Sequence, residues 1–242
     1  MAVKAIITIA TPKKLQSLII REKRTLKLMQ VFAQENPDPR CELFYKTPYQ
    51  LLISVVLSAQ ATDISVNKCM RPLYEKDLDL EAVLKLGELG LLKKIKSIGL
   101  APTKAKNILA LSRILKSTYN SQVPPNREAL ESLPGVGRKT ASVILGELFA
   151  EPTIAVDTHV FRVSARLGLH QEKTPEKCEK ILEMLIPAVY LPRAHHWFIL
   201  HGRYICKAKN PACSSCHIAE YCPSKLDTAN KAIPRLNRKI VK

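Results

Sequence analysis

The sequence predicts an all-α protein, and three observations lead to that prediction. Apolar residues recur with helical spacing along most of the 242 residues. No segment shows the sustained alternation of apolar and polar residues, rich in valine, isoleucine and threonine, that is typical of strands. Turn-forming residues separate the helical segments at Asn36–Pro39, Pro124–Pro125, Pro134–Gly135 and Pro192.

Helical periodicity predicts five helices in the first half of the chain. They are a long N-terminal helix through Leu15–Phe32, a strongly apolar, buried helix at Tyr49–Ser58, and helices at Val66–Tyr74, Leu80–Leu86 and Lys104–Leu115. At the other end, residues 225–242 contain six basic residues and one acidic residue, which indicates a basic tail.

The chain is strongly basic, with 38 Lys and Arg residues against 21 Asp and Glu residues and a net charge of +17. This excess favours a polyanionic partner, because Lys and Arg that neutralise phosphates release condensed counterions. A basic but merely soluble surface is the alternative. The longest apolar stretch, Leu51–Ala59, is too short to span a bilayer, and we see no secretory signal. We therefore expect a soluble intracellular protein without a membrane partner.

Four of the seven cysteines are crowded near the C-terminus with the spacing C-x6-C-x2-C-x5-C. They are Cys206, Cys213, Cys216 and Cys222. In a protein that is not secreted, this crowding indicates a metal rather than disulfides. Zinc sites usually contain two C-x2-C pairs, and an iron–sulfur cluster with four thiolates fits at least as well, so the spacing leaves both open. The isolated Cys41, Cys69 and Cys178 are expected to be buried apolar residues.

The segment Asn126–Leu148 predicts a helix-hairpin-helix. A short helix closes with Leu130 and Leu133, and a tight turn follows at Pro134–Gly137. Arg138 then opens a second helix. Its apolar face consists of Ala141, Ile144, Leu145 and Leu148. Free backbone N–H groups at that helix N-terminus make a phosphate site, whereas an ordinary αα-corner is the alternative.

Five motifs in order carry a family resemblance: SAQATD at 58–63, LPGVGRKTA, IAVDTHVFRV, HHWFILHGR and the cysteine cluster. Over residues 40–225 the sequence resembles the endonuclease III family. This is the iron–sulfur type of the helix-hairpin-helix/Gly-Pro-Asp DNA glycosylase superfamily. The resemblance implies a 4Fe–4S cluster held by the four crowded cysteines.

The resemblance also implies two helical domains with a DNA-binding cleft between them. Residues 41–151 would form a six-helix barrel containing the hairpin. Residues 1–40 and 152–224 would form a discontinuous iron–sulfur domain, followed by the basic tail at 225–242. The expected partner is double-stranded DNA with a damaged base or an abasic site. We expect a monomer, located in the cytoplasm or nucleoid if the source is bacterial.

The implied activity is a DNA glycosylase and AP lyase that excises oxidised pyrimidines and cuts the strand 3′ of the abasic site. Lys139 matches the family's nucleophile and Asp157 its carboxylate. Cleavage of a glycosidic bond builds oxocarbenium character that a carboxylate stabilises, and an amine can form the Schiff base that precedes β-elimination. Asp157 is also expected to cap a helix that begins near Thr158.

Further residues carry over from the family as DNA contacts or cleft residues. The expected DNA contacts are Gln60, Leu100, Gly135, Val136, Gly137, Arg138, Lys207 and Lys209, and the secondary cleft residues are Ser58 and Glu131. Gln60 would fill the gap left by a flipped nucleotide, and Leu100 would act as a wedge. The pair Ala101–Pro102, where relatives often carry aromatic or polar residues, is expected to stiffen the wedge loop. The three histidines of HHWFILHGR are expected to be structural.

Two other functions remain possible from the residues alone. One is a non-catalytic helix-hairpin-helix DNA-binding iron–sulfur protein, which the presence of both Lys139 and Asp157 disfavours. The other is an iron–sulfur electron carrier, which the charge of +17 and the phosphate-binding hairpin disfavour.

Overall fold

The computed structural model describes residues 12–225, and no strand occurs among them, so the all-α prediction is confirmed. The helices are α1 Pro12–Glu35, α2 Pro48–Ser58, α3 Asp63–Tyr74, α4 Leu80–Ile95, α5 Ala101–Thr118, α6 Arg127–Glu131, α7 Arg138–Phe149, α8 Thr158–Arg166, α9 Pro175–Leu185 and α10 Leu191–Tyr204. Two 3₁₀ turns follow at Cys213–Ser215 and Ala219–Tyr221. Between residues 12 and 225, no helix has both the length and the apolarity needed to cross a membrane. Apart from Lys225, the predicted basic tail lies outside the described residues.

The chain divides into two compact units. Arg40–Ala155 forms one unit, which contains the six helices α2–α7. The other unit joins the chain up to Pro39 with the chain from Val156 onward, and it contains α1, α8–α10 and the crowded cysteines.

Polar residues explain where five of the helices in these units begin. The side chains of Thr47, Thr62, Asp79, Asn126 and Thr174 each accept a hydrogen bond from the backbone N–H three residues ahead. Each bond satisfies an N–H group that has no partner inside its helix. By contrast, α5 and α7 begin without a side-chain cap.

Helix α2 forms the centre of the Arg40–Ala155 unit, where nine of its eleven residues are buried. It packs against α3, α5 and α7. Burial of each large apolar side chain contributes roughly 1.5–3 kcal/mol. Its buried polar groups are paired, since Tyr49 Oη lies 2.7 Å from Ser112 Oγ and Ser54 Oγ lies 2.8 Å from Tyr74 Oη. The predicted buried helix at Tyr49–Ser58 is therefore confirmed.

Helix α4 continues beyond the predicted Leu80–Leu86, but only after a break at Gly87. Gly87 has φ 65° and ψ −179°, a combination that glycine alone adopts readily. The chain then resumes helical geometry and runs to Ile95. The prediction ended at the break because periodicity is lost where the backbone changes direction.

Aromatic packing organises the second unit. Phe32 of α1 stacks on Trp197 of α10, with ring centroids 6.0 Å apart, and meets Phe198 edge-on at 5.8 Å. The Trp197 indole N–H donates to the Asn36 carbonyl oxygen at 2.8 Å. Helix α1 also packs against α9, and α8 packs against α10. The long N-terminal helix predicted through Leu15–Phe32 thus contributes its C-terminal half to a core.

The isolated cysteines only partly follow the prediction. Cys178 is fully buried, as expected for a small apolar residue. The prediction was wrong for Cys41 and Cys69, which are half-buried. The Cys69 thiol lies 3.1 Å from Ser97 Oγ, so it takes part in a polar contact at the surface.

Candidate active site

The hairpin turn between α6 and α7 depends on one glycine. Gly135 has φ +81°, and a Cβ there would lie 3.1 Å from the Asn107 side chain and 3.3 Å from Val56. Gly137 has extended backbone geometry and nothing within 4 Å of a Cβ, so the turn itself does not require it. Val136 is buried, and its N–H donates to the Leu133 carbonyl oxygen at 3.0 Å. Val136 therefore anchors the turn, and the exposed backbone on either side of it is what a ligand can reach.

The N-terminus of α7 has the properties of an anion site. Gly137 caps it without a side-chain hydrogen bond, so the first-turn N–H groups lack partners within the helix. The positive end of the helix dipole lies at the same point. Arg138 and Lys139 occupy the first turn, and both side chains are exposed. Backbone donors and two basic residues thus belong to the same helix end, where a phosphate would bind.

Arg127 connects the two helices of the hairpin. Its guanidinium donates to Ser142 Oγ of α7 at 3.0 Å and to Thr153 Oγ1 at 3.1 Å. It also pairs with Glu131, at 3.3 Å, which is the residue expected to line the cleft. The sequence analysis missed Arg127, although the Arg–Glu spacing of four residues on a helix was a usable signal.

Gln60 and Leu100 lie on neighbouring loops of the same unit. A Cβ on Gly99 would lie 3.8 Å from the Gln60 carbonyl oxygen. Both residues are exposed, and both have left-handed backbone, with φ 56° at Gln60 and 62° at Leu100. This conformation costs roughly 1–2 kcal/mol in a residue with a Cβ, and such strain concentrates at functional sites. The structure therefore brings the two predicted DNA-contact residues together.

We expected the pair Ala101–Pro102 to lie in the wedge loop and to stiffen it, and the placement was wrong, because both residues belong to α5. The two residues form the first turn of α5, where proline is well tolerated because its missing N–H would have no intrahelical partner. Ala101 is buried, which fixes the helix start just behind Leu100. Leu100, the predicted wedge residue, is therefore the last residue before α5.

Lys104, one turn into α5, is buried with 5% of its surface exposed. Its ammonium donates to the Leu57 carbonyl oxygen at 2.9 Å and to that of Ala59 at 2.6 Å. Burial lowers the pKa of Lys104. Ser58, between the two carbonyls, is half-buried and its hydroxyl donates to Val55 O at 2.9 Å. The sequence analysis missed Lys104 because a lysine in a helical pattern is normally solvated.

Asp157, in the other unit, caps α8, as the sequence predicts. Its Oδ1 accepts the backbone N–H groups of His159 and Val160, both at 2.8 Å. Oδ2 takes part in neither bond. The side chain is half-buried, and its negative charge is favoured at a helix N-terminus.

The four crowded cysteines follow α10 and are all half-buried, unpaired thiols. Burial raises the pKa of Cys216 and of Cys222, and the other thiols of the group raise it further. Within residues 12–225, no three His, Cys, Asp or Glu side chains converge closely enough to hold a single metal ion.

Two arginines of α8, which the sequence analysis also missed, hold the loop between the first two of these cysteines. Arg166 donates to Cys206 Sγ at 3.3 Å, to the Lys207 carbonyl at 2.7 Å and to the Ala208 carbonyl at 3.0 Å. Arg162 donates to the Cys206 carbonyl at 3.3 Å. The backbone of the loop is thereby fixed, while the side chains of Lys207 and Lys209 are exposed.

The histidines of HHWFILHGR are buried, which agrees with a structural role. His195 and His196 are each 7% exposed, and His201 is 5% exposed. His201 also contacts the cysteine group, because its Nε2 lies 3.7 Å from Cys216 Sγ. Burial, reinforced by the charge of His217, lowers the pKa of His201 to about 4. His201 is therefore neutral at physiological pH.

Comparison with known proteins agrees with this geometry. Residues 53–188 match the HhH-GPD superfamily of base excision DNA repair proteins. The endonuclease III of Rickettsia felis is 56% identical over 81% of this chain and 92% of its own length. That of Escherichia coli K12 is 47% identical over 85% of this chain and 98% of its own length.

Solved structures give the same result. A non-covalent complex of endonuclease III with DNA superposes with a TM-score of 0.78 at 42% identity, covering 84% of this chain and 96% of its own. A trapped covalent endonuclease III–DNA intermediate superposes with a TM-score of 0.77, with the same identity and coverage. The chain belongs to the endonuclease III family of the HhH-GPD superfamily.

The turn geometry predicts unequal effects of alanine at its two glycines. Gly135→Ala should lower the free energy of unfolding by about 2 kcal/mol or more, because alanine is strained at positive φ and its Cβ would crowd Asn107 and Val56. Gly137→Ala should cost less than about 1 kcal/mol, the loss expected at a helix N-cap. Denaturant unfolding of both variants measures the difference, and equal losses would contradict the assignment.

Proposed function

We propose that this chain is a bifunctional DNA glycosylase and AP lyase that excises oxidised pyrimidines from duplex DNA. The observation that carries the proposal is the position of Lys139, exposed in the first turn of an uncapped helix directly after the Gly135 turn. A lysine there supplies a nucleophile beside a phosphate-binding backbone. Membership of a base excision repair superfamily supports the same activity.

The net charge of the chain and the N-terminus of α7 both support DNA binding. The net charge of +17 attracts the phosphate backbone. The exposed backbone at Gly135 and Gly137 and the side chain of Arg138 would bind phosphates next to the target nucleotide. The damaged nucleotide must leave the base stack before chemistry can begin. Gln60 and Leu100 would contact the duplex at the opened position.

The covalent steps belong to Lys139. Its unprotonated amine attacks C1′ of the flipped nucleotide, the bond between C1′ and the base nitrogen breaks, and the base leaves with the bonding electrons. The attacking nitrogen then loses a proton, and the C1′–O4′ bond breaks as O4′ takes up a proton, so that the sugar ring opens to an iminium, a Schiff base, which acidifies the C2′ hydrogens. Loss of a C2′ proton then expels the 3′ phosphate by β-elimination, which cuts the strand. A trapped covalent intermediate is known for a family member of 42% identity.

Asp157 would stabilise the positive charge that develops on the sugar. A carboxylate suits that role because the transition state resembles an oxocarbenium ion. The cap hydrogen bonds of Oδ1 fix the orientation of the carboxylate, and Oδ2 is outside those two bonds. We assign the residue a double role, as helix cap and as electrostatic catalyst.

We further propose that Cys206, Cys213, Cys216 and Cys222 hold a 4Fe–4S cluster, which the family is known to carry. Each thiolate of such a cluster binds a different iron atom, so the four sulfurs need not converge on one point as zinc ligands must. The donor set fits, because four half-buried cysteines close together in the chain supply the four thiolates that such a cluster needs. The cluster would fold the loop that presents Lys207 and Lys209 to DNA. It has no part in the base chemistry.

The nucleophile assignment predicts a borohydride-trapped covalent adduct between the native protein and duplex DNA containing an oxidised pyrimidine or an abasic site. Lys139→Gln should lose the adduct by at least about 100-fold, the scale expected when a nucleophile is removed. Lys116→Gln, which removes an exposed lysine on α5, is the matched control and should trap normally. Gel mobility of the adduct is the measurement. A native protein that binds DNA without trapping would indicate the non-catalytic alternative.

The double role of Asp157 predicts that its two functions separate in two variants. Asp157→Asn should keep the cap and stay within about 0.5 kcal/mol of the native stability, while Asp157→Ala should lose about 1 kcal/mol. Both should slow base release by roughly 100-fold or more, as expected for loss of a catalytic carboxylate. Thermal unfolding and single-turnover base release are the two measurements. Full activity in Asp157→Asn would leave only the cap role.

The cluster assignment predicts a brown protein with broad visible absorption and about four iron and four sulfide per chain. Cys213→Ser should reduce the visible absorption and the iron content, whereas Cys69→Ser, at an isolated cysteine, should leave both unchanged. Absorption spectroscopy and metal analysis give the result. Colourless protein containing stoichiometric zinc would overturn the assignment.

A further inference from the structure

Two exposed residues with left-handed backbone, Gln60 and Leu100, lie on adjacent loops, and neither is a glycine. Leu100 is an apolar residue with 57% of its surface exposed. Neither solvation nor local backbone preference explains this arrangement. Something in the surrounding structure must therefore hold the two loops in place.

Lys104, through its buried ammonium, connects the loop that contains Leu100 with the loop that contains Gln60. Lys104 lies four residues after Leu100, and its backbone N–H donates to the Leu100 carbonyl oxygen at 3.0 Å. Its side chain reaches back to the end of α2, where Nζ donates to the carbonyls of Leu57 and Ala59. Ala59 immediately precedes Gln60. The backbone bond is the ordinary helical bond of the first turn of α5, so it is the side chain of Lys104 that ties this turn, directly after Leu100, to the residue before Gln60.

We propose that Lys104 is a positioning residue that sets the conformations of Gln60 and Leu100 and so allows the pair to hold an opened DNA duplex. The inference rests on the proposed function, since it assigns the two residues to duplex opening. Lys104 itself touches neither the sugar nor the base. It acts through the two loops that it joins.

A lysine at this position costs desolvation energy, because its ammonium is buried. A methionine of similar length would avoid that cost but would leave the Leu57 and Ala59 carbonyls without this donor. The lowered pKa of Lys104 reflects that desolvation. What the ammonium adds is directional bonding to two carbonyls at the C-terminus of α2, an end of the helix dipole that favours positive charge.

Lys104→Met tests the proposal with three readouts. The first is the fluorescence increase of 2-aminopurine placed beside a tetrahydrofuran abasic analogue in duplex DNA, which reports unstacking. The second is single-turnover base release from damaged duplex. The third is borohydride trapping on an abasic site in single-stranded DNA, where no duplex must be opened.

We expect Lys104→Met to lose at least half of the 2-aminopurine signal and about tenfold in the rate on duplex DNA. Trapping on single-stranded DNA should stay within twofold of the native protein. Lys116→Met, which removes a charge from the same helix at an exposed site, should match the native protein in all three. A native 2-aminopurine signal in Lys104→Met, or equal losses on single-stranded and duplex DNA, would overturn the positioning role.

Two further outcomes are distinguishable. If Lys104→Met does not fold, as judged by circular dichroism, Lys104→Gln replaces it, because its amide can still donate one of the two bonds. The difference between its losses on duplex DNA and on single-stranded DNA then tests the proposal in the same way. Absence of any trapped adduct with the native protein would refute the proposed function itself, whereas normal native trapping with no split in the variant refutes only the role of Lys104.

Discussion

Helix α2 is buried along almost its whole length, with nine of eleven residues inside the Arg40–Ala155 unit, and that burial is the constraint on which the unit's functional features depend. Val56 of α2 lies where a Cβ on Gly135 would contact it, so the hairpin turn packs directly on this helix. The carbonyls of Leu57 and Ala59, at the same C-terminal end of α2, receive the Lys104 ammonium. A shift of α2 would therefore disturb both the hairpin turn and the Gln60 loop. Close packing makes such a shift costly, because core side chains leave few voids.

In the second unit, hydrogen bonds hold the candidate site residues in place. Asp157 begins α8 by capping it, and two arginines further along α8 bind the loop that follows Cys206. One short helix therefore orients the carboxylate at its start and the lysine-bearing loop near its end. The aromatic contacts of Phe32 with α10 provide the apolar packing in this unit.

Much of the candidate site was predictable, because its signals are local. The cap at Asp157 and the turn at Gly135 each depend on residues within a few positions of one another, and the cysteine spacing is visible in 17 residues. The contacts that were missed are not local. Lys104 bonds carbonyls 45 and 47 residues away, Arg127 reaches Thr153, and Arg166 bonds a loop about 40 residues on. Charged residues in a helical pattern are normally exposed to solvent, so the sequence predicted that these residues would be solvated.

The sequence by itself determined the fold class and the family, and it predicts the nucleophile, the carboxylate and the cysteine ligands. The fold class follows from helical periodicity, and the rest follows from the family resemblance that the ordered motifs carry. Only the tertiary structure decided which polar residues are buried and what they hold. It identified Gly135 as the glycine that the turn requires and placed Ala101–Pro102 in a helix. The physical reason is that burial and backbone strain depend on neighbours distant in the chain, whose identity is set only when the helices pack.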